Sequence, residues 1–206
     1  MPTLVHILVF LGAYALGSVS WALILVRLLR GEDLRRHGSG NLGATNAGRV
    51  LGRRWAVAIY GLDMLKGLVP VLVARALTPA GPPPLAVVAG LGAILGHVFP
   101  FYLRFRGGKG VATGSGVIVG LHPLTAGVGV AVWILGILAT RYVSLASILA
   151  TISLPIGYAL LGPEGAPERP WVLGFLVAIA TLVVWLHRSN VARLARGEER
   201  RIGGAK

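Results

Sequence analysis

The chain has 206 residues, of which 55% are hydrophobic and only 13% are charged. A soluble domain of this size needs a larger polar fraction to cover its surface, so the composition excludes an ordinary soluble protein and favours a membrane protein. The net charge of +13 then indicates cytoplasmic loops facing anionic lipid, and the lack of cysteine excludes disulfides, thiolate metal sites and a cysteine nucleophile.

Seven apolar segments follow along the chain and predict membrane-spanning helices. The fourth segment is short and rich in glycine, and at 1.5 Å per residue it would span only roughly 20 Å. It must therefore begin deep in the membrane or cross where the bilayer is thin. Breaker-rich connections are expected at 78–84, 122–123 and 162–170. The segments cover residues 4–26, 55–77, 85–103, 111–121, 124–139, 143–161 and 171–187.

The distribution of basic residues predicts the orientation of these segments. Residues 1–10 contain no lysine or arginine, so we expect an external N-terminus that is not a cleavable signal. If segment four did not cross, Arg141 and the basic tail at 188–206 would lie outside, which the positive-inside rule disfavours. The prediction is an all-α integral membrane protein with seven transmembrane helices and a cytoplasmic C-terminus. Residues 1–206 are expected to form a single membrane-embedded domain that ends in the basic tail.

The first predicted cytoplasmic loop, residues 36–49, combines glycines with short hydrogen-bonding side chains and an arginine. Glycine lets backbone N–H groups approach a ligand closely, and arginine offers a bidentate fork. This mixture favours a phosphate site over an ordinary flexible loop. The candidate residues are Ser39, Gly40, Asn41, Thr45, Asn46 and Arg49.

The second loop, residues 104–110, places Lys109 among Gly107, Gly108 and Gly110, directly before a predicted helix. Helix N-termini carry free N–H groups and the positive end of the dipole, so they bind anions. The spacing is not that of a nucleotide-binding P-loop, because a glycine rather than serine or threonine follows the lysine. The loop indicates phosphate binding, with a positively charged cytoplasmic turn as the alternative.

Three further features carry polar groups. His187 and Asn190 are three residues apart and are expected to share a helix face, although an interfacial histidine often serves only as an anchor. Asp63 and Lys66 are charged within a membrane segment, which indicates either a function or a pair that orients a neighbouring loop. Ser144 and Ser147 open segment six, where capping is favoured over ligand binding. With seven crossings, helices two, four and six would direct their N-termini to one cytoplasmic anion site.

These segments resemble the signature motifs of the bacterial acyl-phosphate:glycerol-3-phosphate acyltransferases, the PlsY family. The resemblance covers nearly the whole chain in order. The matching stretches are 39–46 with Arg49, 96–100 with 107–113, 190–194 with Gly197 and Glu199, and also 63–67 and 142–147.

The resemblance implies transfer of a fatty-acyl group from acyl phosphate to the sn-1 hydroxyl of glycerol 3-phosphate, at the cytoplasmic face of a bacterial inner membrane. The products would be lysophosphatidate and inorganic phosphate, as the first step of phospholipid synthesis. No cofactor, metal or nucleic acid is expected, and a monomer is possible. Because acyl phosphate is already activated, no covalent acyl-enzyme is required.

The residue chemistry suggests how such a site would work, by positioning and charge stabilisation. Ser39, Arg49, Lys109 and Asn190 would hold the donor phosphate. Asn41, Lys109, Ser147 and His187 would place glycerol 3-phosphate, and either His187 or a substrate phosphate would be the base. We expect Asp63, Lys66 and Glu199 to be structural, the last by pairing with a loop arginine.

A membrane transporter or channel for a phosphate-type anion is the alternative function. Intramembrane charge would fit a transporter, but the polar groups cluster on one face and no inverted repeat is visible. An acyl-CoA-dependent acyltransferase is disfavoured, because no histidine is followed by aspartate five residues later.

Overall fold

The computed structural model describes residues 2–77 and 84–203, and every regular element among them is helical. The all-α prediction is confirmed for these residues. Of the connection predicted at 78–84, residues 78–83 lie outside them and Pro84 begins α5. The α-helices are α1 (Pro2–Ser18), α2 (Trp21–Arg30), α3 (Ala44–Leu51), α4 (Arg53–Leu77), α5 (Pro84–Val98), α6 (Val111–Leu121), α7 (Pro123–Thr140), α8 (Val143–Leu161), α9 (Arg169–Leu186) and α10 (Arg188–Ala195).

Six helical stretches of the described chain are long and apolar enough to cross a membrane. The first joins α1 and α2, the fifth predicted segment is lengthened to Pro123–Thr140, and α6 is an apolar helix of only 11 residues. The helices belong to two compact units, Met1–Leu121 and His122–Lys206.

The first unit packs its helices through glycines. A side chain at Gly17 or Gly96 of the α1–α5 pair would collide with the backbone of the facing helix, and the same is true of Gly67 and Gly116 where α4 meets α6. Lipid tails are as apolar as the helices, so close backbone approach at small residues supplies much of the packing in a membrane. Gly116 and Gly120 of α6 therefore allow its close packing against α4.

The first predicted membrane segment is not one helix, because it breaks at Val19 and Ser20. A break inside the apolar region exposes backbone groups that need partners. The Tyr102 hydroxyl donates to the Ser18 carbonyl (2.7 Å) and accepts from the Ser20 amide (3.2 Å), while Lys66 Nζ donates to the Val19 carbonyl (2.6 Å). Side chains from distant parts of the unit thus stabilise the break, which local sequence does not signal.

The second unit is built on α7, α8 and α9, with α8 packed against both neighbours. Gly136 of α7 allows a close approach to Ala146 near the start of α8. Helix α9 ends at Leu186, and α10 follows after His187.

Candidate active site

Asn46 organises the first loop. Its side chain is buried, and its Nδ2 donates to the carbonyls of His37 (2.9 Å) and Asn41 (3.1 Å). Its Oδ1 accepts from the Ser39 amide at 3.1 Å. Three hydrogen bonds therefore close residues 37–46 into a defined loop around one carboxamide. Asn46 was predicted to bind substrate; in this structure its carboxamide holds the loop, and the binding role stays a prediction.

The other predicted residues of this loop are more open to solvent. Ser39, Thr45 and Arg49 are exposed, and the Arg49 guanidinium lies beside Gly38. Gly38 and Gly40 have φ angles of 58° and 68°, which glycine adopts without strain. The loop thus exposes a serine hydroxyl and an arginine on a backbone that the Asn46 carboxamide holds in place.

One expectation about this loop was wrong. It was expected to cover residues 36–49, but α3 begins at Ala44, and Gly52 then separates α3 from α4. Residues 44–49 were predicted as loop because Gly48 and the short polar side chains obscure the apolar face of this helix. Ala47 of this helix packs in the buried cluster that includes Leu34 and Ile59.

The second loop has the predicted form. Its amides fold back on the end of α5, with Gly107 N–H donating to the Val98 carbonyl (2.9 Å) and Gly108 N–H to the His97 carbonyl (3.1 Å). A side chain at either glycine would collide with His97. Gly110 has a φ of 81°, and α6 begins at the next residue. Lys109 is half-buried in this loop, immediately before a helix N-terminus.

Asp63 and Lys66 form a buried ion pair in the same unit. Lys66 Nζ is 2.9 Å from Asp63 Oδ1, and both side chains are almost fully buried. His97 Nδ1 is 3.8 Å from the same carboxylate oxygen. No role was predicted for His97. The feature that could have indicated one is its place at the end of an apolar segment, close to the glycine loop.

In the second unit, His187 lies at the junction of α9 and α10 rather than within one continuous helix, as had been expected. Its side chain is buried, and Nδ1 is 2.8 Å from the Val183 carbonyl, to which it donates. In the neutral ring this contact places the lone pair on Nε2. Asn190, also buried, follows in the first turn of α10.

Glu199 links two helices of the second unit, α8 and α10. Its Oε1 accepts from Ser144 Oγ and Asn190 Nδ2, each at 2.7 Å, and its Oε2 accepts from Arg193 Nε at 2.7 Å. Burial raises the pKa of this carboxyl, but the hydrogen bonds from Ser144, Asn190 and Arg193 outweigh burial and lower the pKa below its ordinary value. The expected arginine partner exists, but it lies on α10 rather than in a loop.

The two serines at the start of α8 do not cap the helix, contrary to the favoured expectation. The cap residue is Tyr142, which makes no side-chain cap bond. Ser144 instead reaches Glu199, and the Ser147 hydroxyl accepts from the Trp133 indole at 3.3 Å. Both serines lie inside the helix, past its cap position, and their partners come from other parts of the unit. The contact with Trp133 was not predicted from the sequence.

The sequence is similar to those of known proteins over nearly its whole length. A model of the glycerol-3-phosphate acyltransferase family matches residues 7–197. A glycerol-3-phosphate acyltransferase of Halalkalibacterium halodurans is 46% identical over 97% of this chain and 96% of its own length. That of Desulforamulus reducens is 41% identical over 100% of both chains.

A solved structure is also similar. It is the glycerol 3-phosphate form of PlsY (YgiH), an integral membrane glycerol 3-phosphate acyltransferase, with a TM-score of 0.88, 39% identity and coverage of 96% of both chains. Its lysophosphatidic acid form has a TM-score of 0.84 and 37% identity, over 95% of this chain and 94% of that chain. The chain therefore belongs to the PlsY family of integral membrane glycerol-3-phosphate acyltransferases.

Proposed function

We propose that the chain transfers a fatty-acyl group from acyl phosphate to the sn-1 hydroxyl of glycerol 3-phosphate. The hydroxyl oxygen bonds to the acyl carbon and loses its proton to a base. The bond between that carbon and the phosphate oxygen breaks, releasing inorganic phosphate and 1-acyl-glycerol 3-phosphate. Membership of the family supports the acceptor, and the lack of a cysteine nucleophile agrees with direct attack.

The loop at 107–110 is the observation that carries this proposal. Two glycines without room for a side chain, a half-buried lysine and the start of α6 are combined within five residues. A helix N-terminus with a lysine beside it binds phosphate without requiring a metal. We assign Lys109 and Gly110, at the start of α6, to phosphate binding, and Gly107 and Gly108 to shaping the loop through their hydrogen bonds to the end of α5. The related structure in its glycerol 3-phosphate form supports a phosphate-bearing acceptor for this chain.

Ser39 and Arg49 of the first loop would hold the donor phosphate. In the second unit, Asn190 would contact a phosphate oxygen. The exposed hydroxyl and guanidinium of the first loop suit a leaving group that gains charge as its bond to the acyl carbon breaks. Gly40, Asn41 and Thr45 would complete the substrate contacts of this loop, and Asn46 would serve them by shaping it.

Ser147 and His187 would place the acceptor. The Nδ1 contact of His187 leaves its neutral ring in the tautomer that a base working through Nε2 needs. A phosphate oxygen of the donor is the other base. A His187→Asn variant separates the two, because histidine as base predicts a loss of roughly 10²–10⁴-fold in kcat, whereas phosphate as base predicts a mainly KM effect.

The proposal includes seven crossings, an external N-terminus and a site facing the cytoplasm of a bacterial inner membrane. Six long apolar helices and the 11-residue α6 support the count. The tail after residue 188 is rich in arginine, which supports its cytoplasmic placement.

The donor is tested with the purified chain in detergent. Glycerol 3-phosphate is supplied with palmitoyl phosphate, palmitoyl-CoA or palmitoyl-acyl carrier protein, and the lysophosphatidate is analysed for its acyl position. We expect product only from palmitoyl phosphate, acylated at sn-1. Product from either thioester alone, or acylation at sn-2, would contradict the proposal.

A further inference from the structure

The buried ionic cluster of the first unit, formed by Asp63, Lys66 and His97, has no part in the proposed chemistry. Ionisable groups within a membrane segment are costly and are seldom retained without a role. All three side chains are buried. Their contacts show what the cluster supports.

Lys66 is fixed on two sides. Its Nζ is 2.9 Å from Asp63 Oδ1 and donates to the Val19 carbonyl at 2.6 Å, at the break between α1 and α2. The ammonium thus links the carboxylate to main chain that has lost its helical partners. These two contacts of Lys66 fix the position of the Asp63 side chain.

His97 lies against that carboxylate on one edge and against the glycine loop on the other. Its Nδ1 is 3.8 Å from Asp63 Oδ1. A Cβ at Gly108 would overlap the Nε2 edge of the ring, and the His97 carbonyl accepts the Gly108 amide at 3.1 Å. The ring and the main chain of one histidine therefore both fix the position of Gly108.

We propose that His97, supported by the Asp63–Lys66 pair, is a positioning residue that holds the 107–110 loop and Lys109 for phosphate binding. This inference rests on the proposed role of that loop in binding phosphate. Lys109 follows Gly108 directly, so a shift of Gly108 moves the lysine. A misplacement of about 1 Å costs roughly 100-fold in rate when geometry controls the reaction.

A double-mutant cycle between His97 and Gly108 tests the contact. The KM for glycerol 3-phosphate and kcat are measured for wild type, His97→Ala, Gly108→Ala and the double variant, each as the full chain in detergent. We expect each single variant to raise KM about tenfold or more. The KM of the double variant should be no higher than that of the more impaired single variant. The added methyl group then occupies space left by the ring. Additive losses would overturn the proposal.

Gly107→Ala is the matched control for this cycle. Its methyl group would meet the main-chain carbonyl of His97, which His97→Ala does not remove. Loss of the ring should therefore relieve Gly108→Ala but not Gly107→Ala. Equal relief of both would mean that the ring is not the contact that matters, and it would also overturn the proposal.

Stability and activity measurements keep the outcomes distinct. Melting temperatures identify variants that fail to fold, and if His97→Ala is one of them, His97→Asn replaces it in the same cycle. A folded His97 variant with unchanged KM and kcat overturns the positioning role, whereas a wild-type chain that forms no lysophosphatidate overturns the proposed function. Asp63→Asn should produce a KM increase that is not additive with that of the His97 variant; additivity would contradict the supporting role of the pair.

Discussion

The carboxylate of Glu199 accepts a hydrogen bond from Asn190 at 2.7 Å, and the same group binds Ser144 and Arg193. A residue proposed to contact the donor phosphate is thus held by a carboxylate nine positions later. The hydrogen bonds lower the pKa of Glu199 despite its burial. Since the pKa in the folded state is below that in the unfolded state, this group stabilises the fold above the unfolded value, and the contribution is lost as pH falls through the folded value.

We expect Glu199→Gln to lower the free energy of unfolding at pH 7 by about 1.5–3 kcal/mol, the range for hydrogen bonds to a charged group. The difference from wild type should shrink as pH falls below the ordinary glutamate pKa of 4.5. Thermal melts in detergent at pH 7 and pH 4 measure it. Glu198→Gln is the control, because that exposed carboxylate pairs with the exposed Arg196 across 2.8 Å. Equal effects of the two substitutions would contradict the account.

Asn46 provides a second prediction. Asn46→Ala removes the partners of the His37 and Asn41 carbonyls and of the Ser39 amide. Stability should fall by about 1–3 kcal/mol, and kcat/KM should fall as well, because the loop loses its shape. Asn46→Asp should be more damaging, since it sets an oxygen against two carbonyl oxygens. Wild-type melting and turnover in Asn46→Ala would show that the loop does not depend on this carboxamide.

Lys109 provides the prediction closest to the chemistry. Lys109→Ala should reduce kcat/KM by roughly 10²–10³-fold, the usual cost of losing one group that stabilises transition-state charge. Phosphate release with palmitoyl phosphate and glycerol 3-phosphate measures it. Arg54→Ala removes the same charge from an exposed position at the start of α4, and it should leave the rate unchanged. Near-normal turnover in Lys109→Ala would remove the central phosphate ligand.

The crossing of α6 is predicted to place residues 54 and 200 on the same side of the membrane. The chain lacks cysteine, so each introduced cysteine is unique. Arg54→Cys and Arg200→Cys should react with an impermeant maleimide only after permeabilisation, whereas Glu164→Cys should react in intact cells. Residues 54 and 200 on opposite sides would mean that α6 does not cross.

Much of the helical framework could be predicted because long apolar runs dominate it. The ends of α8 agree with the predicted segment 143–161, and the Gly-Gly-Lys loop leads into α6 as expected. Tertiary partners decide the rest. The break at Val19 depends on Lys66, 47 residues away in sequence, and Ser144 depends on Glu199. Local sequence patterns do not report contacts between residues this far apart in the chain, so neither hydrogen bond could be predicted from the sequence.

Direct transfer between two phosphate-bearing substrates is tested most directly by a burst experiment. Enzyme at micromolar concentration is mixed with palmitoyl phosphate, first alone and then with glycerol 3-phosphate, and phosphate and lysophosphatidate are followed together. We predict no phosphate burst without the acceptor, and equal amounts of phosphate and lysophosphatidate with it. A burst of one phosphate per enzyme in the absence of glycerol 3-phosphate would reveal an acyl-enzyme and contradict the mechanism.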